Sequence, residues 1–168
     1  MLFVAASVMA LFFTTGVSTA EEAAKDQPTQ FTITPIGQVE KSQDRTTIVL
    51  DKNYQPGLLG LDDWSHVWVF WWFDKNDTPQ QRAILKVHPR GNRNNPLTGV
   101  FATRSPVRPN LIAQTLCKIT SVKDNVIEIE NIDAFPGTPV IDLKPYARGI
   151  DSASDIRTPD WTRKQPSR

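Results

Sequence analysis

The sequence predicts an all-β fold, a small antiparallel barrel with long loops and little helix. Three observations carry that expectation. Short runs alternate apolar with polar residues at a period of two, glycine and proline punctuate them at regular spacing, and no convincing amphipathic helix is present. A chain of 168 residues and 18.9 kDa suffices for one domain with a proper core.

Leu2 to Ala20 is apolar and ends in Ser18-Thr19-Ala20 before Glu21-Glu22, as a small-residue cleavage site requires. The expectation is a signal peptide over 1–20 and a secreted or periplasmic domain. Neither Lys nor Arg precedes the apolar run, so an uncleaved membrane anchor is the alternative. A mis-called start would leave the protein cytoplasmic. A flexible lead-in over 21–30, a barrel over 31–151 and a polar tail over 152–168 complete the expected organisation.

Within the barrel, Phe31 to Ile36 alternates up to Gly37, and Pro35 favours an edge position. Thr46 to Leu50 follows a short charged link. His66 to Phe73 is the most apolar run past residue 30, and its β-branched and aromatic content predicts a strand buried on both faces. Arg82 to Val87 resumes a strand after the break at Asp74 to Gln81. His88 to Pro96 is a basic, glycine- and proline-punctuated loop. Leu111 to Val122 and Asn125 to Ile132 form a hairpin around Lys123-Asp124-Asn125, and Val140 to Lys144 is the last strand.

Composition excludes several classes. A net charge of +1 gives no global attraction to nucleic acid, so any such binding rests on a local patch. One cysteine excludes an internal disulfide framework, and with two histidines no metal site is expected. Cys117 suits a small core position. The glycine-rich phosphate fingerprint and the Gly-x-Ser-x-Gly elbow are absent.

The chain is organised around Gly99-Val-Phe-Ala-Thr-Arg-Ser-Pro-Val-Arg-Pro-Asn110. Pro106 and Pro109 fix φ and lack an amide hydrogen, which rules out an interior helix or a central strand. The result is a stiff loop presenting Arg104, Ser105, Arg108 and Asn110. Guanidinium forks suit carboxylates and phosphates, and asparagine both donates and accepts. A polar ligand site and a structural loop with ion-paired arginines both fit these residues. His66 fits a turn cap or a proton shuttle.

That loop and Gly137-Thr-Pro-Val-Ile-Asp-Leu-Lys-Pro-Tyr146 resemble motifs of the TsaA-like (TrmO-type) family. Leu58-Leu-Gly-Leu61, Trp64-Ser-His-Val-Trp68 and Val87-His-Pro-Arg-Gly-Asn92 extend the resemblance in the same order. It covers roughly Phe31 to Asp151. The family's members are S-adenosylmethionine-dependent methyltransferases of threonylcarbamoyladenosine in tRNA. The resemblance implies a small antiparallel barrel, a homodimer, S-adenosylmethionine as cofactor and tRNA as partner. It implies cofactor contacts at Arg104, Gln114, Asp74, Lys75 and the segment Glu130, Asn131, Ile132 and Asp133. Arg90, Arg93, Arg108 and Asn110 become RNA-binding candidates, and Asp142, Lys144 and Tyr146 candidates for assisting a poor amide-like nucleophile.

The sequence also departs from the family pattern. Asn110-Leu-Ile-Ala113 replaces Asn-Pro-Ile-Gly, Pro136-Gly-Thr-Pro139 replaces Asp-Gly-Thr-Pro, and Glu40 to Arg45 replaces a longer cofactor loop. These departures and the N-terminal apolar run support an alternative: an exported, non-catalytic module that reuses the pocket for another small polar or nucleoside-like ligand.

Overall fold

The computed structural model describes residues 30–163. The expected signal segment and almost all of the lead-in lie outside the described residues. Contacts divide the chain into a unit up to Thr32 and a unit from Ile33 onward, and the second holds the fold. Among the described residues no helix is long and apolar enough to cross a membrane.

Six strands close into an antiparallel barrel: β1 Gly37–Lys41, β2 Thr46–Leu50, β3 His66–Trp72, β6 Ile112–Lys123, β7 Val126–Glu130 and β8 Pro139–Pro145. Their order around the barrel is β1-β2-β7-β6-β3-β8. A separate two-stranded ribbon, β4 Lys86–Val87 and β5 Thr98–Gly99, sits in the connection from β3 to β6. The helical segments are short turns, in keeping with the expected all-β class.

Alternation places the core. Val39, Ile48, Leu50, Val67, Val69, Ile127, Ile129 and Val140 point inward and are fully or almost fully buried. Filling a six-stranded barrel with branched side chains leaves no pore, so the interior is packed core. Cys117 lies in this core as expected, and burial pushes its thiol up to about 12. In the β6–β7 hairpin, Asp124 takes a left-handed φ of 53° at the turn that Lys123-Asp124-Asn125 predicts.

Three expectations about elements need correction. Phe31 to Ile36 is not a strand; the first strand begins at Gly37, and Phe31 is 85% exposed. β3 is not buried on both faces. Val67, Val69 and Trp71 face the core, whereas Trp68, Phe70 and Trp72 are half-buried on the outside. Arg82 to Val87 is not one strand either, because Thr78-Pro79 starts a helical turn, Pro79–Arg82. The Thr78 hydroxyl accepts from the Gln81 amide at 3.2 Å, and proline occupies a first-turn position where its missing N–H costs nothing.

Antiparallel pairing sends three connections to one end of the barrel. β3 and β6 pair Trp72 with Ile112, so the segment 73–111 leaves and returns there. Lys41, at the end of β1, donates from Nζ to the Ile132 carbonyl at 3.1 Å, which brings the β1–β2 turn to the β7–β8 loop. β8 starts beside Trp71, so the loop 131–138 opens at that same end.

Candidate functional site

The long connection is rigid where it matters. Phe73 donates its amide to the Leu111 carbonyl at 2.9 Å, closing the base of the segment. Arg82 ties its interior together: Nε pairs with Asp77 at 2.8 Å, a terminal nitrogen donates to the Pro109 carbonyl at 2.9 Å, and the guanidinium lies 5.4 Å over the Trp72 ring. Trp72 Nε1 donates to the other Asp77 oxygen at 3.0 Å. Hydrogen bonds from Arg82 and Trp72 hold the Asp77 carboxyl below the usual carboxylate range. Within the proline-locked loop, the Thr103 hydroxyl donates to Val100 and accepts from the Ser105 amide.

The β7–β8 loop supplies the opposite wall. Asn131 adopts a left-handed φ of 69°, and alternation then buries Ile132 and Ala134 in the core. Asp133 and Phe135 consequently face outward.

Between these walls lies a cleft of about 700 Å³. Asp74, Lys75, Arg104, Arg108, Gln114 and Asp133 line it, with Trp68, Trp71, Phe73 and Phe135 as its aromatic surface. Trp71 and Phe73 meet edge to face at 4.8 Å between ring centroids, and Trp71 Nε1 donates to the Thr115 hydroxyl at 3.1 Å. Arg104 donates to the Gln114 carbonyl at 3.4 Å, a long bond that leaves most of its donors available. Asp74 and Lys75 pair at 3.1 Å in an exposed contact worth little to stability.

A second cavity, about 1300 Å³, adjoins the first. Lys86, His88, Arg90, Arg93, Phe101 and Trp161 contribute to its lining. The two cavities share Thr103, Arg104, Pro106 and Asp133. Arg90 sits at φ 59° and Gly91 at φ 66°, consecutive left-handed residues that fold the basic loop back on itself. His88 Nδ1 meets the Asn95 carbonyl at 2.8 Å, and the Asn95 amide donates to the Pro89 carbonyl at 3.0 Å, bracing that loop.

The structure thus gathers Asp74, Lys75, Arg104, Gln114 and Asp133 around one cleft, and Arg108 joins them rather than the basic cavity. Arg90 and Arg93 line the basic cavity; Asn110 lines neither. Glu130 pairs with Lys118 at 3.3 Å on the outside of the barrel. Asn131 turns the backbone, and Ile132 serves the core. Asp142, Lys144 and Tyr146 are not brought to the cleft. Asp142 pairs with Lys144 at 2.9 Å and borders a groove of Leu58, Leu61 and Trp64, while Tyr146 packs against His66 and Trp68.

Sequence reasoning missed Asp77, Arg82, Phe135, Phe101 and Trp161. The Thr78-Pro79 cap signal could have located the Arg82 brace. Nothing in the local pattern marks Trp161, which lies in the tail expected to be polar.

The model of the tRNA-methyltransferase O N-terminal domain matches residues 23–152. A probable S-adenosyl-L-methionine-binding protein of Methanocaldococcus jannaschii is 47% identical over 117 residues, covering 70% of this chain and 93% of its own. The human tRNA (adenine(37)-N6)-methyltransferase is 43% identical over 107 residues, 64% of this chain, and the chain spans only 24% of that enzyme. The crystal structure of TrmO from Pseudomonas aeruginosa superposes with a TM-score of 0.63 at 26% identity, over 81% of this chain and 63% of that one. The closed barrel with its two long loops at one end, matched over 23–152, makes this chain a member of the tRNA-methyltransferase O N-terminal domain family.

Proposed function

We propose that the chain binds S-adenosyl-L-methionine in the 700 Å³ cleft and transfers its methyl group to an adenosine-borne nitrogen of tRNA. The observation that carries the reading is the donor set of that cleft. Three cations, two carboxylates, two amide side chains and aromatic rings stand around one opening. They match a ligand with a carboxylate, an ammonium, a ribose diol and an adenine. Arg104 would hold the carboxylate, Asp74 the ammonium, and Phe135 with Phe73 the purine.

When bound, S-adenosylmethionine would supply an electrophilic methyl group on a sulfonium leaving group. The chain's own residues position and deprotonate. Positioning provides much of the acceleration in a displacement of this kind. The proton leaving the acceptor nitrogen needs a carboxylate nearby, and Asp133 lines both cavities. The relatives named tRNA (adenine(37)-N6)-methyltransferase support tRNA as acceptor; threonylcarbamoyladenosine is the base that the motif resemblance implies.

The test is transfer of a tritiated methyl group from S-adenosylmethionine to bulk tRNA. Label in tRNA that disappears with Arg104→Ala supports the reading; cofactor binding with no label in any tRNA would refute the enzymatic half. The homodimer that the family resemblance implies is tested by sedimentation velocity.

A second reading rests on the apolar run Leu2 to Ala20: an exported binding module that keeps the cleft without chemistry. Sequencing the mature N-terminus and fractionating cells separates a cleaved signal from an anchor and from cytoplasmic residence.

A further inference from the structure

We propose that Phe101 and Trp161 form a stacking site for an unpaired RNA base in the second cavity, with Lys86, Arg90 and Arg93 holding the flanking phosphates. This rests on the tRNA reading above and gives it a specific acceptor pocket.

Four observations carry it. First, the second cavity abuts the cofactor cleft, sharing Arg104 and Asp133, so an occupant there lies against the place where a methyl group would be presented. Second, its charge is lopsided. Lys86, Arg90, Arg93 and Arg104 face Asp133, and no ion pair among the described residues engages any of those four cations. Third, Phe101 is 78% exposed although it follows Val100, which is almost fully buried. The short turn Val100–Ala102 forces that split, turning one side chain into the core and the next into the cavity. Fourth, Trp161 is half-buried in the helical turn Asp160–Arg163 and lines the same cavity, with the matched family region ending at residue 152. The aromatic wall from the tail therefore lies outside the matched family region.

Aromatic side chains interleaved with cations are the physical requirement for unpaired nucleic acid. Every base offers a π-face, and every phosphate a charge. An acidic peptide would satisfy the cations and leave both rings without a partner. A duplex would present its phosphates but keep its bases stacked inside.

The test is fluorescence anisotropy of the full chain with a labelled oligoadenylate of about ten nucleotides, within the usual site size for single strands. Phe101→Leu and Trp161→Leu keep apolar bulk and remove the ring; Trp161→Phe restores one. Each leucine variant should weaken binding by about 5- to 100-fold, and Trp161→Phe should recover most of it. Three phosphate contacts should give a log–log salt slope of about −2. Cofactor affinity and thermal midpoint should stay at wild-type values in these variants, which reports that the fold is intact. Wild-type RNA binding that both leucine variants retain overturns the stacking site and leaves the tRNA reading standing. Absence of wild-type RNA binding overturns both. An oligoglutamate peptide that competes as well as the oligoadenylate, with the same dependence on the two rings, overturns the choice of RNA.

Discussion

Replacing Gly37 by alanine should open the barrel at its weakest joint. A Cβ at this position would lie 2.3 Å from the Val49 carbonyl oxygen and 2.7 Å from Leu50 Cα. Even close C···O contacts between strands sit near 3.3 Å, so β1 would have to move by about 1 Å. Both obstructing atoms are backbone, and no rotamer change relieves them. Gly37 also stands where β1 closes onto β8, a pairing of only Gly37 with Val140 and Gln38 with Pro139. The amides of Ile36 and Val39 reinforce that seam at 2.8 and 2.9 Å, the second through the Thr138 carbonyl. Thr138 in turn lines the 700 Å³ cleft. Overpacking of this kind costs about 2–3 kcal/mol. For a domain of this size that is a fall of roughly 10 °C in thermal midpoint, readable by calorimetry. Gly57→Ala, where a Cβ meets nothing within 4 Å, is the control and should be neutral or slightly stabilising. A Gly37→Ala midpoint within about 2 °C of wild type would refute the close-approach reasoning.

Three further outcomes follow from individual contacts. Asp77 has a lowered folded-state pKa, so its pairing contributes stability at neutral pH that is lost as pH falls through that lowered value. Asp77→Asn should therefore be less stable than wild type at pH 7, with the gap narrowing in thermal melts towards pH 3. Arg82→Met removes the brace on the Pro109 carbonyl. It should weaken cofactor binding by calorimetry while Lys86 and Arg90, beyond the brace, keep their contribution to RNA binding. Cys117 should resist maleimide at pH 8 in the native protein and react fully in guanidinium, because its thiol pKa is pushed up to about 12.

Much of the architecture was legible because turn chemistry is local. Asp124-Asn125 states its hairpin, and Val140 to Lys144 its strand. The β3 run misled for a physical reason: Trp68, Phe70 and Trp72 are apolar yet lie on the outer face, and a period of two disappears when both faces are apolar. The first strand was misplaced because alternation continues across Ile36-Gly37, whereas pairing begins only where glycine permits the approach of β2. The cleft was legible in part. Arg104 and Asp133 stood out from motif context, but Asp142 and Tyr146 were grouped with them by sequence proximity alone. At a rise of about 3.3 Å per residue, β8 carries Tyr146 some 23 Å beyond Pro139. Phe101 and Trp161 could be joined only by the fold, because 60 positions of chain separate them.

The central claim is that the cleft around Arg104 binds S-adenosylmethionine. Calorimetric titration of the chain with the cofactor, beside Arg104→Ala, tests it most directly. The account predicts saturable binding that Arg104→Ala weakens by about 10- to 100-fold, the loss of one charge-assisted contact. Absence of heat, together with an unmoved thermal midpoint at a saturating excess of cofactor, would contradict it.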